Sequence, residues 1–409
     1  MRKTIIVHVE GFLAQSAAHR HHPTPLERAK TPHLDHLSQA GEMAQWQVPG
    51  EARPLRGALA MLALLGYETP KCYVGSGPFV AAGLEVKLEK HDVAFLCDLV
   101  TLRSQEGWGE GKKLGPQLIM DDPCAGGITD EEARELIDAI NDQLVSENIQ
   151  IYLGHGHEHL MVWAGMGTKI VSRNPAEAQR QSIEPFLPTG DGSQILRELM
   201  EASRVILSHH ELNQERIADG GKPANCLWMW SPGKALDLLP VSERWPVTGV
   251  VFSSDNAVLG VGSTVGLHMV RVDTVKDTMS GLLNDLAPRC LKAVGKTDFA
   301  YVHIPVDRES RGSEEAMVGL WEHLDAHLIG PLQKDFLANG QHRLVVVGTP
   351  ALSTPAPPGA ADAVGLSGYL LCDAQLEVNP QPGTGFYERE LATRPVKDAT
   401  RFFERLVRE

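Results

Sequence analysis

Three histidines at alternate positions, His155, His157 and His159, form one group of potential metal ligands in the chain. On a β-strand this spacing would place the three imidazoles on one face, and imidazole nitrogens are common zinc ligands. A closed zinc site needs a fourth ligand, which the sequence does not identify. The alternative interpretation is the polar turn of a β-hairpin between strand candidates at residues 149–153 and 159–163. The sequence leaves the role of the three histidines open between these interpretations.

Two carboxylates, Asp307 and Glu309, follow a buried strand candidate at residues 299–304. Ligands of open α/β sheets lie beyond the carboxyl ends of the strands, where paired acids can serve general acid–base catalysis. The same letters also fit a helix-capping acidic turn that Arg308 and Arg311 neutralise. Taken by itself, the segment favours this structural interpretation.

Alternating β-strands and α-helices must position these residues. Strands that alternate with helices at this spacing indicate an α/β fold with a largely parallel sheet. Residues 76–99 are expected to be rich in strand and loop. The strand candidates include residues 5–9, 247–252, 299–304, 344–347 and 368–371, and the helix candidates include residues 56–65, 129–144, 193–207, 314–337 and 396–407.

Length and composition restrict the class of protein. A chain of 409 residues is too long for one ordinary core and predicts two domains, one of which can be inserted in the other. The net charge of -14 argues against nucleic acid or an anionic membrane surface as the main partner. Apolar runs fall short of about 18 residues, so no transmembrane span is expected. Six cysteines without a C-x-x-C pair suggest reduced thiols and a cytoplasmic protein.

Several longer segments occur in the same order as similar segments in one known protein family. They are T-P-L-E-R-A-K-T-P-H-L-D-H-L, L-L-G-Y-E-T-P-K-C-Y-V-G-S-G-P-F-V-A-A-G, L-N-Q-E-R-I-A-D-G-G-K-P-A-N-C-L-W-M-W-S-P-G-K and F-A-Y-V-H-I. With them the chain resembles the archaeal-type cofactor-independent phosphoglycerate mutases of the alkaline phosphatase superfamily, and the related homoserine-kinase-like sequences. The resemblance implies a split, mostly parallel α/β core at residues 1–88 and 243–409, with an inserted α/β lid domain at residues 89–242.

The resemblance also implies a chemistry, in which two divalent metals activate a serine nucleophile that carries the phosphoryl group. The residues for that chemistry are largely replaced in this sequence. The nucleophile position is Gly57, and Glu10 and Asp307 are the remnant metal positions. The other family positions that have lost their metal-binding or catalytic residue are Ala58, Met61, Ser76, Arg311, Ala351, Leu352 and Ala361.

The sequence therefore predicts a catalytically degenerate mutase homologue, a pseudoenzyme of the cytoplasm with no catalytic residue and no bound metal. It would bind a protein partner or a small phosphorylated ligand, and it could form an oligomer or stabilise an active homologue. The possible anion-binding residues are Arg53, Arg56, Asn225 and Lys234.

The alternative is an active phosphoglycerate mutase or other phosphotransferase with a relocated site and two manganese or zinc ions. That site would use Glu10, Asp307, Glu309 and the three histidines of residues 155–159. Ser253, Ser254 and Ser263 are candidate nucleophiles for it, although the sequence places no evident base or metal ligand beside them.

Overall fold

The computed structural model describes residues 2–13, 22–51, 53, 55–144, 146–165, 169–272, 279–305, 313–337, 342–350, 367–373 and 385–409. These residues form two compact units. The first unit contains the described residues up to Cys72 and those from Leu238 onward, and the second contains those between Tyr73 and Asp237. The second unit thus interrupts the first in sequence. The sequence-based boundaries, after residues 88 and 242, lie C-terminal to the boundaries in the structure, which follow Cys72 and Asp237.

The strands are short apart from two that each run for 11 residues, β1 and β3. In chain order they are β1 (Lys3–Leu13), β2 (Glu42–Gln47), β3 (Val93–Arg103), β4 (Ile119–Asp122), β5 (Ile149–His155), β6 (Glu158–Trp163), β7 (Ile170–Val171), β8 (Thr189–Gly190), β9 (Cys226–Gly233), β10 (Gly249–Ser253), β11 (His268–Arg271), β12 (Phe299–Pro305), β13 (His342–Pro350), β14 (Gly368–Asp373) and β15 (Val396–Asp398).

The α-helices follow the strands through both units. In chain order they are α1 (Pro25–Arg28), α2 (Pro32–Ala40), α3 (Gly57–Leu64), α4 (Thr69–Cys72), α5 (Gly77–Gly83), α6 (Asp130–Leu144), α7 (Ser193–Ser208), α8 (Glu211–Ala218), α9 (Val241–Arg244), α10 (Asn256–Thr264), α11 (Met279–Val294), α12 (Glu314–Leu324), α13 (Gly330–Asp335), α14 (Glu388–Leu391) and α15 (Phe402–Arg408).

The first unit is built on an eight-stranded sheet in the order β11-β10-β12-β1-β13-β14-β2-β15. Its strands pair in parallel, except that β14 is antiparallel to both of its neighbours. The central strand β1 is almost wholly buried because its sequence, K-T-I-I-V-H-V-E-G-F-L, has apolar residues on both faces. The predicted α/β class with a mostly parallel sheet is therefore confirmed.

The second unit has an antiparallel sheet of its own, in which β3 pairs with β4, β6 and β9, and β6 also pairs with β5. The apolar side of the amphipathic helix α6 packs into the core of this unit through Ala133, Leu136, Ile137 and Ile140. The predicted hairpin and the predicted helix of this region are both present.

Two segments, one in each unit, differ from the sequence-based expectation. Residues 76–99 are not only strand and loop, because Gly77–Gly83 form α5. A side-chain carbon at Gly77 would lie 2.1 Å from the Ala94 carbonyl oxygen, so glycine permits this helix to contact β3 closely. Likewise, β1 does not end at residue 9 but continues to Leu13, which places Glu10 inside the strand opposite Pro305 and Thr349.

The predicted closing helix at residues 396–407 is also wrong in its first half. Val396–Asp398 pair in parallel with β2 and form the edge strand β15. The carboxylate of Asp398 then accepts a hydrogen bond from the Thr400 amide at 3.0 Å, which caps a 3-10 turn. As a result α15 begins only at Phe402.

The predicted single helix at residues 314–337 is divided by a π-helical turn, Asp325–Ile329, between α12 and α13. Asp325 is buried there, and its two carboxylate oxygens accept the amides of His33 at 3.1 Å and Leu34 at 2.8 Å. Thr31, the N-cap residue of α2, makes no capping hydrogen bond with its side chain. Asp325 therefore caps the N-terminus of α2 in its place.

Candidate functional site

A buried network of polar side chains crosses the centre of the eight-stranded sheet. Because β10, β12, β1 and β13 are neighbours in the sheet, residues near their carboxyl ends lie side by side. His8 and His303 face each other directly in the pairing of β1 with β12. The polar residues of this network are His8, Glu10, Ser253, Tyr301, His303 and Thr349, all of them buried.

One branch of the network joins a hydroxyl, an imidazole and a carboxylate. The Ser253 hydroxyl is 3.0 Å from His303 Nδ1, and His303 Nε2 is 3.4 Å from Glu10 Oε2. An ionised carboxylate only accepts hydrogen bonds, so His303 carries a proton on Nε2. The Ser253 oxygen also accepts the Asp255 amide at 3.0 Å, which leaves its proton for His303 Nδ1 when the imidazole is neutral.

This branch corrects the expectation that Ser253 has no base beside it, because His303 is within hydrogen-bond distance. The order hydroxyl, imidazole, carboxylate is that of a nucleophile with a general base and its orienting acid. The Ser253 side chain is nevertheless fully buried. In this arrangement the chain of hydrogen bonds can hold a proton, but the hydroxyl has no access to a substrate.

The second branch holds His8 in its neutral form. Its Nδ1 is 2.8 Å from the Tyr301 hydroxyl, and its Nε2 is 2.9 Å from Thr349 Oγ1. Burial, followed by the nearby His303, lowers the pKa of His8 to about 3. Burial also raises the pKa of Tyr301 well above its ordinary value, with further contributions from Glu10 and Asp255. Both groups are therefore uncharged near neutral pH.

Glu10 stays ionised in spite of its burial. Burial by itself would raise its pKa, but the hydrogen bond and charge of His303 outweigh that effect, with smaller contributions from His8 and Arg56, and the pKa falls to about 2. Glu10 Oε2 also accepts the backbone amide of Gly57 at 3.0 Å. A buried carboxylate thus lies directly against the first residue of α3.

Gly57, the position that the resemblance assigns to the nucleophile, has a left-handed backbone with φ of +43°. A side-chain carbon built there would lie 3.5 Å from Glu10 Oε2 and 3.8 Å from Asp255 Oδ2, which are ordinary contact distances. The space for a small side chain therefore exists, while the backbone conformation disfavours any residue other than glycine.

The described polar side chains at this site are engaged in hydrogen bonds with one another. Both ring nitrogens of His8 and both of His303 are already hydrogen-bonded, and Glu10 Oε2 accepts two donors. Across the described part of the chain, no group of three or more His, Cys, Asp and Glu side chains is arranged to hold a metal ion. Asp307, the second remnant metal position, lies outside the described residues.

Other expected site residues also lie outside the described part of the chain. These residues are Arg308, Glu309, Arg311, Ala351, Leu352 and Ala361.

The two arginines before α3 have different surroundings. Arg53 Nε is 2.6 Å from Glu51 Oε1, and its second nitrogen is 2.7 Å from Glu51 Oε2, so this carboxylate neutralises it. Arg56 is the half-buried N-cap residue of α3, and its charge contributes to the low pKa of Glu10. Of the two, only Arg56 is thus electrostatically linked to the network, and anion binding by either stays a prediction.

The remaining two possible anion-binding residues belong to the second unit. The Asn225 amide group is buried, where it accepts the Leu102 amide at 2.7 Å and donates to the carbonyls of Leu102 and Trp108. These bonds account for both hydrogens of its side chain and indicate a structural role. Lys234, the residue directly after β9, is half-buried. Their role in anion binding stays a prediction.

The three alternating histidines lie on a hairpin rather than on one strand. His155 ends β5, His157 is in the turn and His159 is on β6. His155 Nδ1 is 3.1 Å from Asp130, while the buried His159 accepts the Gly154 amide on Nδ1. The hairpin interpretation of this segment is therefore confirmed, and the three histidines do not share one strand.

Comparison with known proteins places this architecture in a family. The family model described as 2,3-bisphosphoglycerate-independent phosphoglycerate mutase matches residues 39–213. A probable 2,3-bisphosphoglycerate-independent phosphoglycerate mutase of Geobacter sulfurreducens is 32% identical over 334 residues, which cover 81% of this chain and 81% of that protein. The chain therefore belongs to the 2,3-bisphosphoglycerate-independent phosphoglycerate mutase family.

Particular relatives and solved structures agree with this assignment. The 2,3-bisphosphoglycerate-independent phosphoglycerate mutase of Methanosarcina mazei is 28% identical over 335 residues, 81% of each protein. A protein from Pyrococcus horikoshii has the same fold, with a TM-score of 0.68, 20% identity and coverage of 99% of this chain and 96% of that one. The cofactor-independent phosphoglycerate mutase from Thermoplasma acidophilum gives a TM-score of 0.56, 20% identity and coverage of 100% and 99%.

None of the described helices combines the length and the apolar character that a membrane crossing requires.

Proposed function

We propose that this chain is a catalytically degenerate phosphoglycerate mutase homologue that acts by binding a protein partner or a small anionic ligand. The observation that carries the proposal is the contact between Glu10 Oε2 and the Gly57 amide at 3.0 Å. Where the family resemblance places a serine nucleophile, this chain has a backbone amide covered by its own carboxylate. Glycine has no side-chain atom that can accept a phosphoryl group.

The donor set supports the same proposal. Two-metal phosphotransfer needs several carboxylates and imidazoles that are free to face the ions. In the described residues, the imidazoles of His8 and His303 are instead bonded to Thr349, Tyr301, Ser253 and Glu10. In this arrangement the hydrogen-bonding groups of the network satisfy one another, which supports the proposal.

A second candidate function rests on one specific observation. Ser253, His303 and Glu10 form the hydroxyl–imidazole–carboxylate branch described above, which would serve a phosphotransferase with a relocated nucleophile. Such activity would require the buried Ser253 hydroxyl to become exposed. Under this candidate, Ser253→Ala abolishes turnover, whereas under the proposed function there is no turnover to abolish.

The decisive experiment measures interconversion of 3-phosphoglycerate and 2-phosphoglycerate by the purified protein with added Mn²⁺ or Zn²⁺, together with metal analysis. We expect no turnover above the buffer background and less than stoichiometric metal. The mutase of Geobacter sulfurreducens, assayed in parallel, verifies the assay conditions. Stoichiometric metal together with mutase turnover would refute the proposal, and loss of that turnover in Ser253→Ala would establish the second candidate.

Restoring the nucleophile alone is expected to fail. Gly57→Ser places a hydroxyl near Glu10 and Asp255, but a non-glycine residue at this φ costs about 1 kcal/mol of stability. We expect a folded, slightly less stable protein that still has no mutase activity, measured by the same assay and by urea unfolding. Gly57→Ala is the matched control, since it has the same backbone cost and no hydroxyl. Turnover in Gly57→Ser but not in Gly57→Ala would show that the metal site survives.

Binding of a protein partner is tested by co-purification from the native source under gentle conditions. We expect the chain to elute in a complex or as an oligomer, including a complex with an active mutase homologue. Elution as a lone monomer from the native lysate would exclude the protein-partner form of the proposal and leave a small anionic ligand.

A further inference from the structure

Two histidines stand one helical turn apart where α12 meets the π-helical turn of the first unit. His323 lies in the last turn of α12, which ends at Leu324, and His327 lies in the π-helical turn Asp325–Ile329. Their imidazole rings are stacked, with centroids 4.0 Å apart and an angle of 28° between the planes. Side chains four positions apart in a helix are neighbours on one face, so the backbone brings the two rings together.

The segment that carries the two rings is held in place on its other side. Trp321 and Leu328 are buried in the core of the first unit. Asp325 is buried as well, and its carboxylate accepts the amides at the start of α2. His323 is half-buried, whereas His327 is exposed. The two imidazoles are therefore positioned by an anchored backbone and can be reached from solvent.

Two imidazoles at this distance can bind the same metal ion. A Zn–N bond measures about 2.0–2.1 Å, so two nitrogens up to about 4 Å apart can share one ion. The stacking of the two rings brings their facing atoms to about this separation. Each imidazole has two ring nitrogens, so one can bind the ion while the other keeps a hydrogen bond, as is usual for a metal-bound histidine.

The chemistry of the pair favours one class of cation. Imidazole suits Zn²⁺, Ni²⁺ and Cu²⁺, whereas Mg²⁺ and Ca²⁺ prefer oxygen ligands. Helices with two histidines at this spacing bind zinc in the H-E-x-x-H metalloproteases. In the segment H-L-D-A-H the residue after the first histidine is Leu324 and not the glutamate of that motif. The pair therefore offers metal ligands without the general base of a hydrolase.

We propose that His323 and His327 together bind one divalent transition-metal ion of the class of Zn²⁺, Ni²⁺ and Cu²⁺, with water molecules as its other ligands. The ion ties the last turn of α12 to the π-helical turn that caps α2. Two protein ligands give a Kd on the order of 10–100 µM, so protein purified without added metal carries less than one equivalent. The site shares no residue with the polar network of β1 and β12, and it does not depend on the presence or absence of mutase activity.

Protection of the imidazoles from chemical modification tests the site directly. The full-length protein is treated with diethyl pyrocarbonate, which modifies accessible imidazoles, and each histidine is followed by peptide mass spectrometry. We expect about 200 µM Ni²⁺ or Zn²⁺ to slow the modification of His323 and His327 at least about threefold, and the same concentration of Mg²⁺ to have no effect. His268, exposed on β11, is the internal control. Unchanged modification of the pair would overturn the proposal, and so would equal protection by Mg²⁺ or an equal effect on His268.

Removal of one imidazole shows whether the two rings share the ion. In His327→Gln, we expect the protection of His323 by about 200 µM Ni²⁺ to fall below about 1.3-fold, because a single imidazole binds the ion at least about tenfold more weakly. His268→Gln is the matched control, since it removes an exposed histidine elsewhere and should leave the protection of the pair unchanged. Circular dichroism verifies that both variants keep the fold. Full protection of His323 in His327→Gln, or its loss in His268→Gln, would contradict a shared ion.

Discussion

Replacing Glu10 with alanine is expected to lower the free energy of unfolding by about 2–6 kcal/mol at pH 7, because it leaves two buried hydrogen-bond donors without an acceptor, at about 1–3 kcal/mol each. His303 Nε2 and the Gly57 amide both donate to Glu10 Oε2, and the truncation leaves both without an acceptor. Urea unfolding of the full-length protein, followed by tryptophan fluorescence and circular dichroism, measures the loss.

Glu10→Gln is the matched variant for this prediction. It keeps an oxygen of nearly the same position and removes only the charge, so we expect a smaller loss of about 1–2 kcal/mol. Ser263→Ala, on the outer part of α10 and away from the network, serves as the neutral control. If Glu10→Ala proved as stable as this control, the hydrogen bonds of Glu10 would contribute nothing to the fold.

The protein is also expected to lose stability steeply as the pH falls from 6.5 to 5. Burial is the main cause that lowers the pKa of both His8 and His159 to about 3, against an ordinary value of 6.5. Below pH 6.5 the unfolded chain therefore binds protons that the folded chain does not. Stability is complete above pH 6.5 and falls toward pH 3, by about 2 kcal/mol per histidine between pH 6.5 and 5.

This pH dependence can be assigned to each histidine by substitution. Urea unfolding at several pH values gives the slope, and His8→Gln is expected to be less stable at pH 7.5 yet to lose about half of the slope. His159→Gln tests the second unit in the same way. His268→Gln, at an exposed position on β11, is the control that should leave the slope unchanged. An unchanged slope in both His8→Gln and His159→Gln would show that neither buried imidazole takes up the proton on unfolding.

Much of the architecture was predictable from local patterns. The apolar runs of β1 and β12, the Thr24 and Glu27 capping box of α1 and the amphipathic spacing of α6 each depend on neighbours in sequence. The first half of the predicted closing helix was wrong for the opposite reason. Val396 joins β2, which lies far away in sequence, and no local pattern reports that pairing.

The polar network could be predicted only in part. Glu10 and Gly57 were identified through the resemblance, but the contact between them was not. The signal that could have revealed the other members is a histidine inside each of two apolar strands, His8 and His303. Their partnership depends on the register of two strands from opposite ends of the chain, which no local pattern specifies.

The interruption of the first unit by the second has a consequence for biosynthesis. The central strand β1 pairs with β12 and β13, and the bonded side chains of His8 and Tyr301 are 293 residues apart. During translation β1 therefore emerges long before either of its partners, and its apolar faces have nothing to pair with until most of the chain has been made. The second unit is contiguous in sequence and can close during that delay, which shortens the span that β1 must bridge. We therefore expect β1 to be the segment that most needs chaperone binding while the chain is being synthesised.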